Sequence, residues 1–337
     1  MLTRLELENF GPLQSLQWNA LSNVNLVIGP NSCGKTFILK ALYSVVRSLE
    51  THQRGHEPRS LAEILYEKLY WTFQADKIGD LVTKGAKSPL SCTVAFGEQA
   101  LQFGFGKDTA KTITAPVGDL QSLPSNSIFL PPKEVLSLQS IILKSRELDN
   151  EFGFDDTYYD LAKALSLTTT RGNNYREFAS ARSDLEEMLG GKVEFDSASK
   201  RWQFKKGNQK YPIGATAEGI KKIAILDTLL GNRYLALGSI IFIDEPESAL
   251  HPTAISKLIQ IIVMLSQRGI QFFIASHSYF VIKALYIEAR RQGVSLPVLS
   301  SIDGRWKADN MQLGMPDNPI VDESIRLYEE EVELALE

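Results

Sequence analysis

The sequence predicts an α/β fold with a mainly parallel core sheet, because three apolar runs each lead into residues suited to one chemical site. The run at 24–28 precedes a glycine-rich turn and a helix, which is the order of a phosphate-binding unit. The run at 239–243 ends in two carboxylates, and the run at 270–275 is followed by a histidine. Uninterrupted apolar runs are typical of strands that a parallel sheet buries on both faces.

The glycine-rich turn carries the sequence GPNSCGKT. Its positions are Gly29, Pro30, Asn31, Ser32, Cys33, Gly34, Lys35 and Thr36. The glycines let successive backbone N–H groups point inward, and the N-terminus of the following helix adds the positive end of its dipole. The lysine can reach terminal phosphates, and the threonine hydroxyl can bind Mg²⁺. The motif therefore predicts a nucleoside triphosphate site with magnesium.

The other two runs predict the second half of that site. Asp244 at the end of a buried strand is placed to bind Mg²⁺ through water, and Glu245 is placed to take a proton from the attacking water. His277 follows 33 residues after Asp244, separated by one helix and one strand. A parallel neighbouring strand would bring this histidine to the same sheet edge, where its imidazole can contact the γ-phosphate.

The first part of the chain predicts an antiparallel β patch. Alternation over residues 2–8 indicates a strand, a turn follows, and a second strand is expected before the buried run. The helix after the phosphate loop extends to about Leu49, and residues 61–74 also have helical spacing. Residues 91–114 contain two or three short strands, the third at KTITA, separated by glycine and charge.

Beyond residue 126, strand and helix patterns alternate. The expected elements are a short strand ended by Pro131, mainly helical chain over 135–190, a hairpin over 192–213 closed through Gly207 and Asn208, helices at 217–230 and 253–267, and another helix from Tyr279. We predict one domain over 1–337, with a β-rich lid insert at 50–126, a helical insert subdomain at 135–190 and a C-terminal tail at 297–337 that packs on the core.

Composition sets further limits. The chain has 337 residues, of which 44% are hydrophobic and 23% charged, so it can bury a full core. Its net charge of −4 means that it has no global basic field. It has no apolar run of the roughly 20 residues that a membrane span needs, and no signal-peptide core at its start. With only Cys33 and Cys92, a disulfide framework is not expected. We therefore expect a cytoplasmic, reduced protein without a membrane partner.

The series GPNSCGKT, GATAEGIKKIAIL, FIDEPESALHP and IASHS resembles the motifs of the ABC-type ATPase superfamily. Within it, the chain is most similar to the RecF, SMC and OLD branch, including stand-alone bacterial AAA ATPases of phage-defence and toxin–antitoxin-like systems. The segments LTRLELENFGPL and MPDNPIVDESIRLYEEEV resemble the latter group. The resemblance implies an ABC-type ATPase head that uses ATP and Mg²⁺ and hydrolyses ATP slowly or under the control of a partner.

The resemblance also implies a head-to-tail dimer, or a higher homo-oligomer, in which two ATP molecules are sandwiched between subunits. The trans contacts would come from the signature loop and the D-loop, at Thr216, Ala217, Glu218, Gly219, Ser248 and Ala249. The usual LSGG signature is replaced by TAEG, and Glu218 would bring a negative charge near phosphate. Either Glu134 or Gln139 would fill the Q-loop role, and Phe10 would either flank adenine or belong to the core.

Three functions follow from this resemblance. The first is an ATP-gated regulatory or sensor subunit that controls a separate effector, a nuclease or toxin, in bacterial anti-phage defence. The effector is expected on another chain, because the 40 residues after Pro297 are too few for the acidic nuclease domain of OLD proteins. The second is a RecF-like DNA-binding ATPase of DNA repair, and the third is a non-catalytic scaffold stabilised by nucleotide.

A DNA or RNA partner is left open by the charge pattern. The basic residues of the helical insert are interspersed with many acids, which favours a solvated surface over a nucleic-acid site. These residues are Lys144, Arg146, Arg171, Arg176 and Arg182. Heptad repeats long enough for an SMC-type coiled-coil arm are absent from the sequence.

Overall fold

A computed structural model of the chain describes residues 1–114, 116–118, 122–167 and 178–336. Three β-sheets and nine α-helices are formed by these residues. The mainly parallel core sheet, the N-terminal antiparallel sheet and the helical insert that the sequence predicts are all present, so the expected fold class is confirmed. Among the helices of the described residues, none has the length and apolar content needed to span a bilayer.

The N-terminal sheet is antiparallel and has the strand order β2-β1-β4-β5. The strands are β1 (Leu2–Phe10), β2 (Leu13–Trp18), β4 (Leu90–Phe96) and β5 (Gln99–Phe105). β1 forms because its apolar residues alternate, and Leu5, Leu7 and Phe10 are fully buried. Of the two or three strands expected over 91–114, two form, because the described residues 111–114 of KTITA have no strand structure. The chain leaves β5 through a turn, and among the described residues it pairs with β5 again at a single Gln102–Val117 bridge.

The core sheet has the order β13-β12-β3-β11-β10-β6, and every neighbouring pair in it is parallel except β12 with β13. Its strands are β3 (Val24–Ile28), β6 (Ile128–Leu130), β10 (Ile240–Asp244), β11 (Gln271–Ser276), β12 (Pro297–Ile302) and β13 (Arg305–Asn310). The segment expected to pack on the core as a tail thus supplies two strands of the core sheet. The strands expected at 24–28, 239–243 and 270–275 are confirmed to within one residue.

Apolar layers cover both faces of the core sheet. On one face, α1 (Lys35–Thr51) and α2 (Leu61–Phe73) pack with the N-terminal sheet, and the ring of Tyr43 meets Phe242 edge-on at 5.9 Å between centroids. On the other face lie α6 (Glu218–Gly231), α7 (Pro252–Gln267) and α8 (Tyr279–Gln292). Because successive strand residues point to opposite faces, Phe242 contributes to one layer while Ile241 and Ile243 contribute to the other.

The helical insert consists of α3 (Gln139–Glu147), α4 (Asp156–Leu165) and α5 (Ala179–Leu189). Part of the predicted insert, including Arg171 and Arg176, lies outside the described residues. A small sheet follows, formed by β7 (Lys192–Asp196), β8 (Arg201–Lys206) and β9 (Gln209–Pro212). The turn at Gly207 and Asn208 joins β8 to β9 rather than closing the first hairpin, so the sequence missed the third strand. A last helix, α9 (Pro319–Leu336), follows β13.

Buried charges attach α4 to α1 and α2. The Asp160 carboxylate accepts hydrogen bonds from the Tyr43 hydroxyl, from Arg47 Nε at 3.3 Å and from Lys68 Nζ at 3.0 Å. Lys40 Nζ on α1 lies 2.6 Å from Asp155 at the start of α4. Burial alone would raise the pKa of Asp160, but the neighbouring cations hold that pKa well below its ordinary value. The helical insert is therefore fixed to the helix that follows the phosphate loop.

Asp160→Asn should lower the free energy of unfolding by about 3 kcal/mol at pH 7, because it leaves two buried cations short of a counter-charge. The aspartate stabilises the fold above its unfolded pKa of about 4 and this contribution is lost as the pH falls below it. The difference in the free energy of unfolding between the variant and the wild type should therefore become smaller at acidic pH. Urea unfolding at several pH values measures this, with the exposed Asp149→Asn as the control. A pH-independent difference would contradict it.

Candidate nucleotide-binding site

The phosphate-binding loop joins the end of β3 to the start of α1, as the sequence predicts. Gly29 and Gly34 have φ angles of 154° and 106°, and Ser32 also lies in the left-handed region with φ of 64°. A side chain at Gly29 would place its Cβ 2.7 Å from the Cβ of Ser301 on β12. Glycine is therefore required there both for the turn and for the close approach of β12.

Two side chains at the start of α1 connect the loop to its surroundings. Lys35 is buried, and its Nζ donates hydrogen bonds to the carbonyl oxygens of Gly29 at 2.9 Å and Pro30 at 2.8 Å. The Thr36 hydroxyl donates a 2.7 Å hydrogen bond to Asp244 Oδ2 at the end of β10. The lysine amine thus lies inside the loop, and the threonine lies against the acidic strand end.

Asp244 has the features of a magnesium ligand. It is 2% exposed, and its second oxygen, Oδ1, is buried without a hydrogen-bond partner in the described structure. Burial raises the pKa of Asp244 to about 6, while Thr36, Lys40 and Lys35 counter that rise. An unpaired carboxylate oxygen beside a threonine hydroxyl fits Mg²⁺, which uses one or two carboxylates together with substrate phosphates. Within the described ranges, no cluster of three or more His, Cys, Asp or Glu side chains could hold a metal by itself.

Glu245 and His277 meet at the edge where β10 and β11 end. The two strands pair in parallel up to Asp244 and Ala275, and the Glu245 N–H donates to the Ala275 carbonyl at 2.9 Å. His277 Nδ1 lies 3.5 Å from Glu245 Oε1, and the two side chains are 43% and 34% exposed. Both groups are therefore accessible to a ligand that lies over the phosphate loop.

Glu247, which the sequence analysis did not single out, fixes the loop after β10 to the loop after β11. Its Oε1 accepts a hydrogen bond from the Ser276 hydroxyl at 2.8 Å and from the His277 N–H at 3.2 Å. The side chain of Glu247 is only 10% exposed. This carboxylate therefore sets the position of the histidine backbone relative to Glu245.

The expected signature loop lies just before α6, which begins at Glu218. Glu218 Oε1 lies 2.7 Å from Lys221 Nζ, so the negative charge expected near phosphate has a cation beside it. A Cβ at Gly219 would lie 2.8 Å from the carbonyl oxygen of Ala249, so this glycine permits α6 to contact the D-loop of its own chain. Thr216 and Ala217 precede the helix, and Ser248 is partly exposed on the D-loop.

The two Q-loop candidates differ in what they contact. Gln139 is occupied structurally, since its amide nitrogen donates to Ala162 O at 2.8 Å and Ser166 Oγ at 3.1 Å, and its oxygen accepts from Trp202 Nε1 at 2.6 Å. Glu134 lines a cavity together with Asp244 and carries an ion pair of 3.2 Å with Lys221. Of the two, only Glu134 borders the site.

Phe10 belongs to the core, which is one of the two alternatives that the sequence left open. It is fully buried, and its ring packs against Phe37 and Phe73 with centroids 5.3 and 5.8 Å away. A further residue that the sequence did not single out is Lys222 on α6. Its Nζ donates to the Glu245 carbonyl at 3.1 Å. Burial lowers the pKa of Lys222 to about 8, although Glu247, Glu245 and Asp244 act to raise it.

A phosphate loop on a parallel sheet, facing an acidic strand end and a histidine, defines the class of ABC-type P-loop ATPases. Two family models match the chain, each over more than half of its length. The model described as "AAA ATPase domain" matches residues 1–187, and the model described as "AAA domain, putative AbiEii toxin, Type IV TA system" matches residues 103–283. The chain belongs to this family of AAA ATPase domains.

Two curated relatives are the DNA replication and repair proteins RecF of Lactococcus lactis subsp. cremoris, strains MG1363 and SK11. Each is 25% identical to the chain over 206 residues, which are 58% of the chain and 53% of the relative. The chain thus spans about half the length of the curated relatives it matches.

Solved structures of SMC heads share the fold. The SmcHead bound to the C-winged helix domain of ScpA is 13% identical with a TM-score of 0.54, and the match covers 92% of the chain and 97% of that structure. The Smc head of Pyrococcus furiosus with an extended coiled coil, bound to the C-terminal domain of ScpA, is 12% identical with a TM-score of 0.51 over 98% of both chains. The family match thus identifies an AAA ATPase domain, and these structures show that it has the fold of SMC heads.

Asp244→Asn should stabilise the protein in EDTA at pH 7.5. A carboxyl whose pKa rises from 3.8 to about 6 costs the fold up to about 3 kcal/mol when it is ionised. As the pH falls from about 6 to about 4, Asp244 of the folded wild type takes up a proton and the cost of its charge is lost. The higher stability of the variant should therefore disappear over that range. Thermal unfolding across this pH range measures it, with the exposed Asp303→Asn as the control. A lower melting temperature for Asp244→Asn at pH 7.5 would contradict the prediction.

Proposed function

We propose that this chain is an ATP-driven switch that binds ATP with Mg²⁺, hydrolyses it slowly and controls a separate effector protein in bacterial anti-phage defence. The observation that carries the proposal is the meeting of Lys35 and Thr36 with Asp244, Glu245 and His277 at one edge of the core sheet. These side chains follow the carboxyl ends of three strands, β3, β11 and β10, which lie side by side because they pair in parallel.

Each residue has a role that its position supports. The inward N–H groups of residues 29–36 and the Lys35 amine bind the β- and γ-phosphates, for which Lys35 exchanges its two carbonyl partners for phosphate oxygens. Thr36 and Asp244 hold the Mg²⁺ that neutralises phosphate charge. Glu245 accepts the proton of the attacking water, and the His277 imidazole beside it contacts the γ-phosphate.

Dimerisation on ATP would use the signature loop and the D-loop. Ala217, Glu218 and Ala249 are exposed, so a second subunit can reach this surface. The helix N-terminus at Glu218 favours an anion such as the partner's γ-phosphate, and Lys221 offsets the acidic residue that replaces the usual glycine. We therefore propose the dimer although TAEG places the negative charge of Glu218 near phosphate, because Lys221 lies beside that charge.

The exposed surface of α9 supports a protein effector. Six large apolar side chains of this helix are 39–83% exposed, namely Ile325, Leu327, Tyr328, Val332, Leu334 and Leu336. The helix also carries six acidic residues and a single arginine, so two copies of it would repel each other. This surface fits an apolar groove with a basic rim on a different protein. One matching family is described as a putative toxin of a Type IV toxin–antitoxin system, and we take such a system as the setting in which the chain acts on its partner.

Glu245→Gln should keep ATP binding and lower the steady-state rate of phosphate release by at least about a hundredfold, because a positioned general base contributes 10²–10⁴. ATP should then accumulate the dimer, measured by light scattering after gel filtration. The exposed Glu98→Gln is the matched control. Unchanged turnover would refute the role of Glu245. ATP binding without phosphate release by the wild type, alone and with its effector, would favour the scaffold function instead.

A RecF-like DNA-binding ATPase is the second candidate, and a row of lysines favours it. Two cations of the helical insert are already engaged, since Arg146 lies 3.1 Å over the Trp71 ring and Arg182 Nε donates to Asp227 at 2.8 Å. In contrast, Lys192, Lys205 and Lys210 lie directly opposite one another across β7, β8 and β9.

Like charges directly opposite each other destabilise a sheet, and a phosphate backbone would relieve that repulsion. Glu186 and Glu194 lie within 3.3 Å of the two outer lysines, whereas no carboxylate among the described residues pairs with Lys205. β9 continues through the short 3₁₀ helix Ile213–Ala215 into the signature loop. DNA on this sheet would therefore lie next to the expected contact with ATP.

Lys205→Glu combined with Lys210→Glu should weaken binding of a 30-bp duplex at 50 mM salt. Each lost phosphate contact should reduce the slope of log K against log salt by about one. Fluorescence anisotropy with and without ATP measures it, and Lys84→Glu, an exposed lysine far along the chain, is the control. No duplex binding by the wild type at low salt would refute the DNA function and leave the effector switch standing.

A further inference from the structure

The loop that begins with the proposed base has an unusual backbone. Between Glu245 and Ala249, two non-glycine residues lie in the left-handed region, with φ of 50° at Glu245 and 64° at Ala249. L-residues adopt this region rarely, and they remain in it only where neighbouring contacts fix the backbone. Contacts that fix this loop therefore also fix the direction in which the Glu245 carboxylate points.

One such contact comes from a different element, the helix α6. The carbonyl oxygen of Glu245 accepts a hydrogen bond from the Ser248 N–H at 3.1 Å, which closes the turn, and a second from Lys222 Nζ at 3.1 Å. The ammonium group thus binds the backbone of the base rather than a carboxylate. Hydrogen bonds from a charged donor are stronger than those between neutral groups.

The same helix touches the other end of the loop. The Cα of Gly219 comes so close to the D-loop that an added Cβ would be 2.8 Å from the Ala249 carbonyl oxygen and 2.8 Å from Leu250 Cδ2. Gly219 and Lys222 are separated by less than one helical turn. The first turn of α6 therefore contacts the loop at both of its left-handed residues, Glu245 and Ala249.

We propose that Lys222 is a positioning residue that holds the Glu245 backbone in the orientation needed for attack on ATP, and so links the signature loop of a subunit to the base of the same subunit. Any ligand that moves the first turn of α6 would move the ammonium group that holds the base. This inference rests on the proposed role of Glu245, and it assigns to Lys222 no contact with ATP.

Lys222→Met tests the inference, since methionine keeps a long unbranched side chain but has no donor. We expect kcat to fall about tenfold, with the Kd for ATP and the melting temperature unchanged. Lys222→Arg, which keeps a cation and donors, should restore at least half of the lost rate. Lys257→Met, an exposed lysine on α7, is the matched control and should have the wild-type kcat.

A double-mutant cycle separates positioning from a general structural role. If Lys222 acts through Glu245, then Lys222→Met should not lower the residual single-turnover rate of Glu245→Gln any further. An equal tenfold loss in both backgrounds would overturn the inference, as would a weaker Kd for ATP or a failure of arginine to restore the rate. Full activity of Lys222→Met with an inactive Glu245→Gln would refute the inference alone. Full activity of Glu245→Gln would refute the base assignment itself.

Discussion

The hydrogen bond between Thr36 and Asp244 joins the two halves of the site across 208 residues of sequence, and the remaining geometry depends on it. It requires β3, β11 and β10 to be consecutive in a parallel sheet, so that their carboxyl ends lie at one edge. Open α/β sheets bind ligands at that edge because helix N-termini and strand-end side chains converge there. The carboxylate loses solvation in this position, which raises its pKa and leaves one oxygen without a partner.

Charge pairs connect the elements of the site to the rest of the molecule. Asp160 and Asp155 attach the helical insert to α1, the helix that starts in the phosphate loop. Lys221 connects Glu134 to Glu218, and Lys222 connects α6 to the loop after β10. Buried charges without their partners are costly, so these elements move together more readily than they separate. These connections are consistent with an ATPase in which nucleotide bound at the N-terminus of α1 affects the position of the elements that contact α1 and α6.

Two surfaces remain for partners, and their chemistry differs. The exposed apolar and acidic side chains of α9 suit a protein groove with a basic rim. The lysine row across β7, β8 and β9 is polar, so it suits a phosphate backbone better than an apolar partner. The two surfaces correspond to the proposed effector and DNA functions, and substitutions can alter each surface independently.

The sequence by itself determined the phosphate loop, the acidic pair, the histidine and the order of most strands and helices. Glycine spacing, uninterrupted apolar runs and terminal carboxylates are local patterns, and each is governed by backbone geometry or burial within a few residues. The third strand of the small sheet was missed because β9 is exposed at every residue and has no alternation of apolar and polar residues.

Only the tertiary structure decided which polar side chains are engaged, because that depends on neighbours far along the chain. Gln139 is held by Trp202 and the backbone of α4, Phe10 is enclosed by Phe37 and Phe73, and the tail contributes β12 beside β3. The position of Lys222 at the Glu245 carbonyl also has no local sign, since two adjacent lysines on a helix read as a solvated face. Long-range packing places one of them in an ion pair and the other on the backbone of the base.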